Sequence, residues 1–221
     1  MSDGAVLTLE ERVAPATTAL ILVDVQNDFC HDDSPLAVMN DMSAAQAIVP
    51  RLRALIDAAR QAGTLVVWIQ MVNNEYVFSA VQRDQRLRSR PGTGMVCMQG
   101  SWGTEFYEVA PEPGEPIVQK HRYSAFIDTD LDLILRSRGI KSLIMTGVAT
   151  NVCVESTARD GYMRDYHIVF VDDCSACYDP AKHAATLRNI TDHFGVVVQS
   201  PEIMATWPAS AVPAGAGATA G

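Results

Sequence analysis

The sequence predicts an α/β fold built on a parallel sheet, and three features predict it. Six short apolar runs of strand length recur along the chain. Stretches of helical periodicity separate most of them, which is the pattern of βαβ units. Two of those stretches stop at a glycine, Gly63 and Gly139, where a left-handed residue commonly ends a helix. Right-handed crossovers then place helices on both faces, giving three layers.

The elements follow in order. Ala19-Leu20-Ile21-Leu22-Val23 is apolar throughout, as in a central strand buried on both sides, and it ends at Asp24. Residues 49–62 put Val49, Leu52, Leu55 and Ile56 on one helical face before Gly63. Residues 64–70 (TLVVWIQ) form the second strand. Residues 78–88 make a mostly polar helix, and Pro91-Gly92-Thr93-Gly94 opens a loop. Residues 116–120 are a short strand running into Lys120, and 129–138 are a helix stopped by Gly139. Residues 142–146 (SLIMT) read as a buried strand and 152–164 as a helix. Residues 167–171 (HIVFV) are a strand, 180–193 a helix with Pro180 at its start, and 195–199 the last strand. One domain, residues 1–207, accounts for this. The uncharged Ala/Gly/Pro-rich tail, 208–221, is expected to be disordered and dispensable for folding.

Bulk properties narrow the function. A length of 221 residues and 48% hydrophobic content give ample chain for a core. A net charge of -9 argues against nonspecific nucleic-acid binding. No apolar stretch is long enough to span a bilayer, so no membrane partner is expected. The N-terminus lacks a basic start followed by an apolar core, which points to the cytoplasm. Cys30, Cys97, Cys153, Cys174 and Cys177 form an odd set with no regular framework, which favours free thiols over disulfides. The pair Cys174 and Cys177 has no second CxxC to complete a zinc site.

Three positions carry chemistry. Cys153 stands where a strand gives way to a helix, and unpaired N–H groups with the positive end of the dipole favour a thiolate there. A small buried apolar cysteine is the alternative. Asp24 ends an apolar strand, where a carboxylate can serve as general base; a turn cap is the other reading. Lys120 ends another strand, either as a solvated surface charge or, beside a thiol and a carboxylate, as a group that holds the thiolate and orients the base.

The segments DVQNDF, KHRYSAF and LRSRGIKSLIMTGVATNVCVESTARDGY together resemble the isochorismatase-like cysteine hydrolase superfamily, over roughly Thr18 to Pro201. RYSAFIDTDLDLILRSRGI, TGVATNVCVEST and GSW are similar to its ureidoacrylate amidohydrolase branch. The resemblance implies strand order 3-2-1-4-5-6, a site at the carboxyl ends of the strands, and a catalytic triad of Asp24, Lys120 and Cys153. It implies a cis peptide at Val148–Ala149 and an oxyanion hole from the N–H groups of Ala149 and Cys153. It implies a homo-oligomer, dimer or tetramer, acting on a small molecule. Nicotinamidases in this superfamily bind metal through histidines downstream of the first strand; residues 32–119 contain none here, so neither metal nor other cofactor is expected.

The expected chemistry is hydrolysis of a C–N bond in a small ureide or amide through a thioester, with release of ammonia. Ureidoacrylate-like compounds, biuret or triuret, and N-carbamoyl compounds fit. An ether or larger amide, or a binding protein without catalysis, are the alternatives. Candidate substrate-binding residues are Asn27, Phe29, Gln70, Trp102 and Tyr123. Tyr123 and Trp102 could equally be packing residues. Met71 is apolar where a polar amide is expected. Arg122 is a candidate carboxylate clamp or an exposed charge.

Overall fold

The strand that delivers Asp24 lies in the middle of the sheet. In the computed structural model, which describes residues 6–207, β1 (Thr18–Val23) is flanked by β2 (Leu65–Met71) and β4 (Ser142–Val148). Beyond them lie β3 (Ile117–Lys120), β5 (His167–Ala176) and β6 (Gly195–Val198), in the order β3-β2-β1-β4-β5-β6. Every pairing is parallel. All carboxyl ends therefore meet at one edge, and the order reverses direction between β1 and β4, where such sheets open a crevice. This is the predicted architecture. The expected tail, 208–221, lies outside the described residues.

Alternation along β1 sorts its side chains into two cores. Ala19, Ile21 and Val23 join Leu131, Leu135, Ala158 and Ile190 on one face. Leu20 and Leu22 join Leu52, Leu55, Ile56 and Ile203 on the other. The helices Leu131–Ser137, Glu155–Tyr162 and Pro180–His193 thus cover one face, and Val49–Ala62 and Ser200–Thr206 the other. With both faces covered, the strand has no polar side, which is why it reads as a continuous apolar run. Each such aliphatic side chain contributes about 1.5–3 kcal/mol on full burial.

Register fixes which residues reach the active edge. Val23 pairs with Ile69 and with Gly147, and Met71 pairs with Lys120. Gly147 has φ 108, and a Cβ there would run into the backbone of Val23. Only glycine lets β1 and β4 approach this closely beside Asp24.

Several boundaries depart from the sequence reading. The second strand is shifted by one residue, to end at Met71. The polar helix runs Ala80–Ser89, started by Ser79 and Gln82 in a reciprocal capping box. The third helix is shorter, Leu131–Ser137. The helix expected over 152–164 is Glu155–Tyr162, preceded by a π-helical turn at Thr150–Val154. β5 does not stop at Val171. It bulges between the levels of Met145 and Gly147 and resumes pairing at Ser175. Asp172 and Asp173 occupy the bulge and look like a strand end in sequence. Their carboxylates are used laterally: Asp173 accepts from Ser200 N and Oγ at 2.7 Å, starting the Ser200–Thr206 helix that sequence reading did not assign.

Candidate active site

Asp24, Lys120 and Cys153 converge at the carboxyl edge. Lys120 Nζ lies 2.8 Å from Asp24 Oδ2 and 3.4 Å from Cys153 Sγ, and donates to the carbonyl of Arg122 at 3.0 Å. Asp24 and Lys120 are fully buried. At 2.8 Å their contact is a buried ion pair. Asp24 adopts φ 52, a left-handed conformation that aspartate tolerates better than most residues. Its N–H still donates to Ile69 O at 3.1 Å, so the strand ladder is kept up to the turn.

Burial governs the electrostatics. It raises the Asp24 carboxyl above its ordinary value, while Lys120 opposes it. Burial disfavours charged Lys120, but its contacts with Asp24 and Cys153 oppose this and raise it. Burial pushes the Cys153 thiol up to about 12, against the Lys120 cation and with the Asp24 anion. Sequence position favours a thiolate at a helix start; in the structure Cys153 sits inside the π-helical turn, where burial acts against the charged form.

The turn carrying Cys153 is held from several sides. The Val148–Ala149 peptide is cis. Thr157 Oγ1 donates to Cys153 O at 2.7 Å and accepts from Ala125 N at 3.0 Å, tying the turn to the segment after β3. Thr150 Oγ1 lies 2.9 Å from His183 Nδ1, and His183 Nε2 lies 2.7 Å from Asp172 Oδ1. Gln199 Nε2 donates to Asp172 Oδ2 at 2.7 Å. Sequence reading missed this chain of contacts. Its one signal is a carboxylate directly after HIVFV, and nothing ties that to a histidine eleven positions later.

A cavity of about 100 Å³ opens onto Cys153, Ala149 and Val152. Phe29, Met71, Val96 and Tyr178 give it apolar walls, and Tyr123 lies at its rim, lining both the cavity and the wider groove outside. Phe29 and Tyr123, two of the candidate substrate-binding residues, thus line the cavity. Asn27, Gln70 and Trp102 do not line the cavity. They build a support: Asn27 Nδ2 donates to Trp102 O at 3.0 Å, and Gln70 Nε2 donates to Thr104 O at 2.9 Å. Alternation along β2 explains Gln70. Adjacent strand residues face opposite sides, so placing Met71 at the cavity turns Gln70 away from it. Arg122 is also committed, donating to Val77 O at 3.0 Å and His121 O at 2.8 Å.

The remaining wall is the polar helix and its C-terminal cap. Gln82, Gln85, Arg86 and Ser89 face the cavity, joined by Arg90. Their i, i+3, i+4, i+7 spacing marks one face of a helix. In sequence that stripe cannot be told from a solvated face, because the helix is mostly polar and none of its residues is buried. Asn73, also lining the cavity, closes the base of this segment through Val96 O at 3.0 Å.

All five cysteines are free. Among the described residues, no group of three or more His, Cys, Asp and Glu side chains could hold a metal ion, and no helix is long and apolar enough to cross a membrane.

Sheet order, strand-end triad and cavity together define an isochorismatase-type hydrolase, and residues 18–202 match the isochorismatase domain, so the chain belongs to the isochorismatase family. It is 39% identical over 198 residues to the ureidoacrylate amidohydrolase RutB of Enterobacter sp., covering 83% of this chain and 86% of that protein. Among solved structures it resembles a cysteine hydrolase from Pseudomonas syringae pv. phaseolicola, with TM-score 0.79 and 28% identity over 93% of this chain and 98% of that one. It also resembles the N-carbamoylsarcosine amidase of Thermoplasma acidophilum, with TM-score 0.68 and 29% identity over 83% of this chain and 96% of that one.

Proposed function

We propose that this isochorismatase-family hydrolase is a metal-independent cysteine amidohydrolase that cleaves a C–N bond of a small ureide or amide and releases ammonia. The observation that carries the reading is Lys120 Nζ between Asp24 Oδ2 at 2.8 Å and Cys153 Sγ at 3.4 Å, with Cys153 opening onto a cavity. The names of the relatives, a ureidoacrylate amidohydrolase and an N-carbamoylsarcosine amidase, support the substrate class.

In this mechanism Asp24 takes the thiol proton as Cys153 Sγ bonds to the substrate carbonyl carbon. Burial raises the Asp24 carboxyl, which makes its carboxylate a stronger base than a solvated one. The carbonyl oxygen becomes an oxyanion held by the N–H groups of Ala149 and Cys153, each worth roughly 3–4 kcal/mol in comparable sites. The intermediate collapses with loss of the C–N bond, and Asp24 returns its proton to the departing ammonia. Asp24 then accepts a proton from water, whose oxygen attacks the thioester. The C–S bond breaks and Cys153 recovers its proton. Lys120 balances the negative charge that moves between Asp24 and Cys153 and transfers no proton.

The test is ammonia release from ureidoacrylate, biuret, triuret, N-carbamoyl amino acids, maleamate and nicotinamide, with chelator present. Chelator-resistant release from a ureide, lost in Cys153→Ala, is expected. Turnover that survives in Cys153→Ala overturns the thioester, and silence across the panel moves the reading to an ether or a larger amide.

A further inference from the structure

The charges around the cavity are one-sided. The chain carries a net charge of -9, yet no carboxylate lines the cavity, and two guanidinium groups, Arg86 and Arg90, do. Asp24 is nearby but sealed against Lys120. The two arginines come from successive turns of one helix end, four residues apart, where like charges oppose each other.

The cations of this region differ in what they already hold. Arg86 is bound to the carbonyls of Thr93 and Gly94. Arg122 is bound to the carbonyls of Val77 and His121. Lys182, in the outer groove, faces Asp179 at 3.5 Å. Among the described residues, Arg90 is the cation that lines both the cavity and the outer groove with no hydrogen bond or ion pair of its side chain. It is half-buried, so part of its hydration is lost without return. Five N–H donors in a planar fork are left to answer an acceptor, and that fork matches a carboxylate.

We propose that Arg90 clamps a carboxylate on the substrate, so that the site selects anionic ureides or amides over neutral ones. The assignment rests on the amidohydrolase reading and narrows it. The clamp lies on the wall opposite the Cys153 turn in chain origin: one end of the substrate is held by the helix cap, and its carbonyl is presented to the sheet edge. The same segment, residues 83–90, holds four of the chain's 17 basic residues, a local positive field that draws an anion to the mouth of an acidic protein.

The experiment compares wild type with Arg90→Ala and Arg90→Lys on N-carbamoylglycine, ureidoacrylate and maleamate, and on the methyl ester of each. For the acids, kcat/KM is expected to fall about 10- to 100-fold in Arg90→Ala, mostly through KM, as for loss of a charge-assisted hydrogen-bonding pair. Arg90→Lys keeps part of the preference, and the esters change less than about threefold, since they never used the clamp. Equal losses on acid and ester, or a wild type that prefers the ester, overturn the clamp and leave the amidohydrolase reading standing. If none of the compounds is turned over, the clamp is decided by calorimetry of the same acids on wild type and Arg90→Ala, and the amidohydrolase reading by its own wider panel. Acid binding lost in the variant supports the clamp; no acid binding to wild type overturns it. Circular dichroism confirms folding of the variants.

Discussion

The two walls of the cavity are built by opposite means. The Cys153 wall grows from strands buried on both faces, with Asp24 and Lys120 fully buried and Thr157, Thr150 and His183 bracing the turn. The facing wall is the Ala80–Ser89 helix, which has no buried residue and depends on a capping box and the Arg86 contacts. The first arrangement suits chemistry, which needs fixed distances between reacting atoms. The second suits selection, since a helix with few buried contacts opens at small cost and changes its lining without disturbing the sheet. In the proposed mechanism catalysis and substrate choice reside on separately stabilised parts of one cavity, and each prediction below strains one wall and asks whether the other responds.

The largest effect belongs to the buried pair. Lys120→Met leaves Asp24 as an uncompensated charge in the interior, which costs about 3–5 kcal/mol of stability. Loss of the Lys120 cation also raises the Asp24 carboxyl further above its ordinary 3.8, because Lys120 is what opposes burial there. A carboxyl raised in the folded state stabilises fully below the unfolded value and loses that contribution as pH rises through the folded one. Urea titrations should therefore show Lys120→Met most impaired at neutral pH and partly recovered in acid, and Asp24→Asn in the same chain should restore much of the loss. A variant equally stable at both pH values breaks the argument that burial dominates this wall.

Next comes the reactivity of Cys153, where the sign is diagnostic. Asp24 holds the thiol up and Lys120 pulls it down, beneath the larger effect of burial. Asp24→Asn should therefore alkylate faster than wild type at a given pH below about 12, because its thiol is lowered, while its turnover falls roughly 10²–10⁴-fold with loss of the base. Iodoacetamide rates followed against pH by mass spectrometry separate the two. Slower alkylation in Asp24→Asn would falsify the idea that the carboxylate opposes the thiolate at rest.

What the sequence disclosed follows the same division. The Cys153 wall was legible because each of its parts leaves a mark in one dimension: apolar runs ending in Asp24 and Lys120, and the TGVATNVC segment. Parallel strands then bring those ends together whatever lies between them. The facing wall left no comparable mark. A polar stripe over a cavity and a polar stripe facing water have the same composition, so Gln85, Arg86 and Arg90 were invisible as lining residues. Gln70 shows how little margin there is: it and Met71 are adjacent in β2 and face opposite sides, and only Met71 lines the cavity. The charge state of Cys153 is hard to read from sequence for a different reason. Helix position can be read from sequence, whereas desolvation depends on what packs around the residue.

The smallest expected effect tests the independence of the walls most directly. Ser79→Ala removes the side chain that accepts from Gln82 N at 3.2 Å and half of the reciprocal cap, while the Gln82 amide keeps its bond to His121 O at 3.1 Å. Loss of such a cap costs typically about 1 kcal/mol. Because the helix buries nothing, that cost should appear as local opening rather than global unfolding. Amide hydrogen exchange is expected to quicken several-fold across Ala80–Ser89 and to stay unchanged across Glu155–Tyr162, with KM for an anionic substrate raised and kcat held. If exchange at Glu155–Tyr162 or kcat moves in step with the helix, the two walls are one cooperative unit, and a change in specificity could not be made on the helix without altering the chemistry at Cys153.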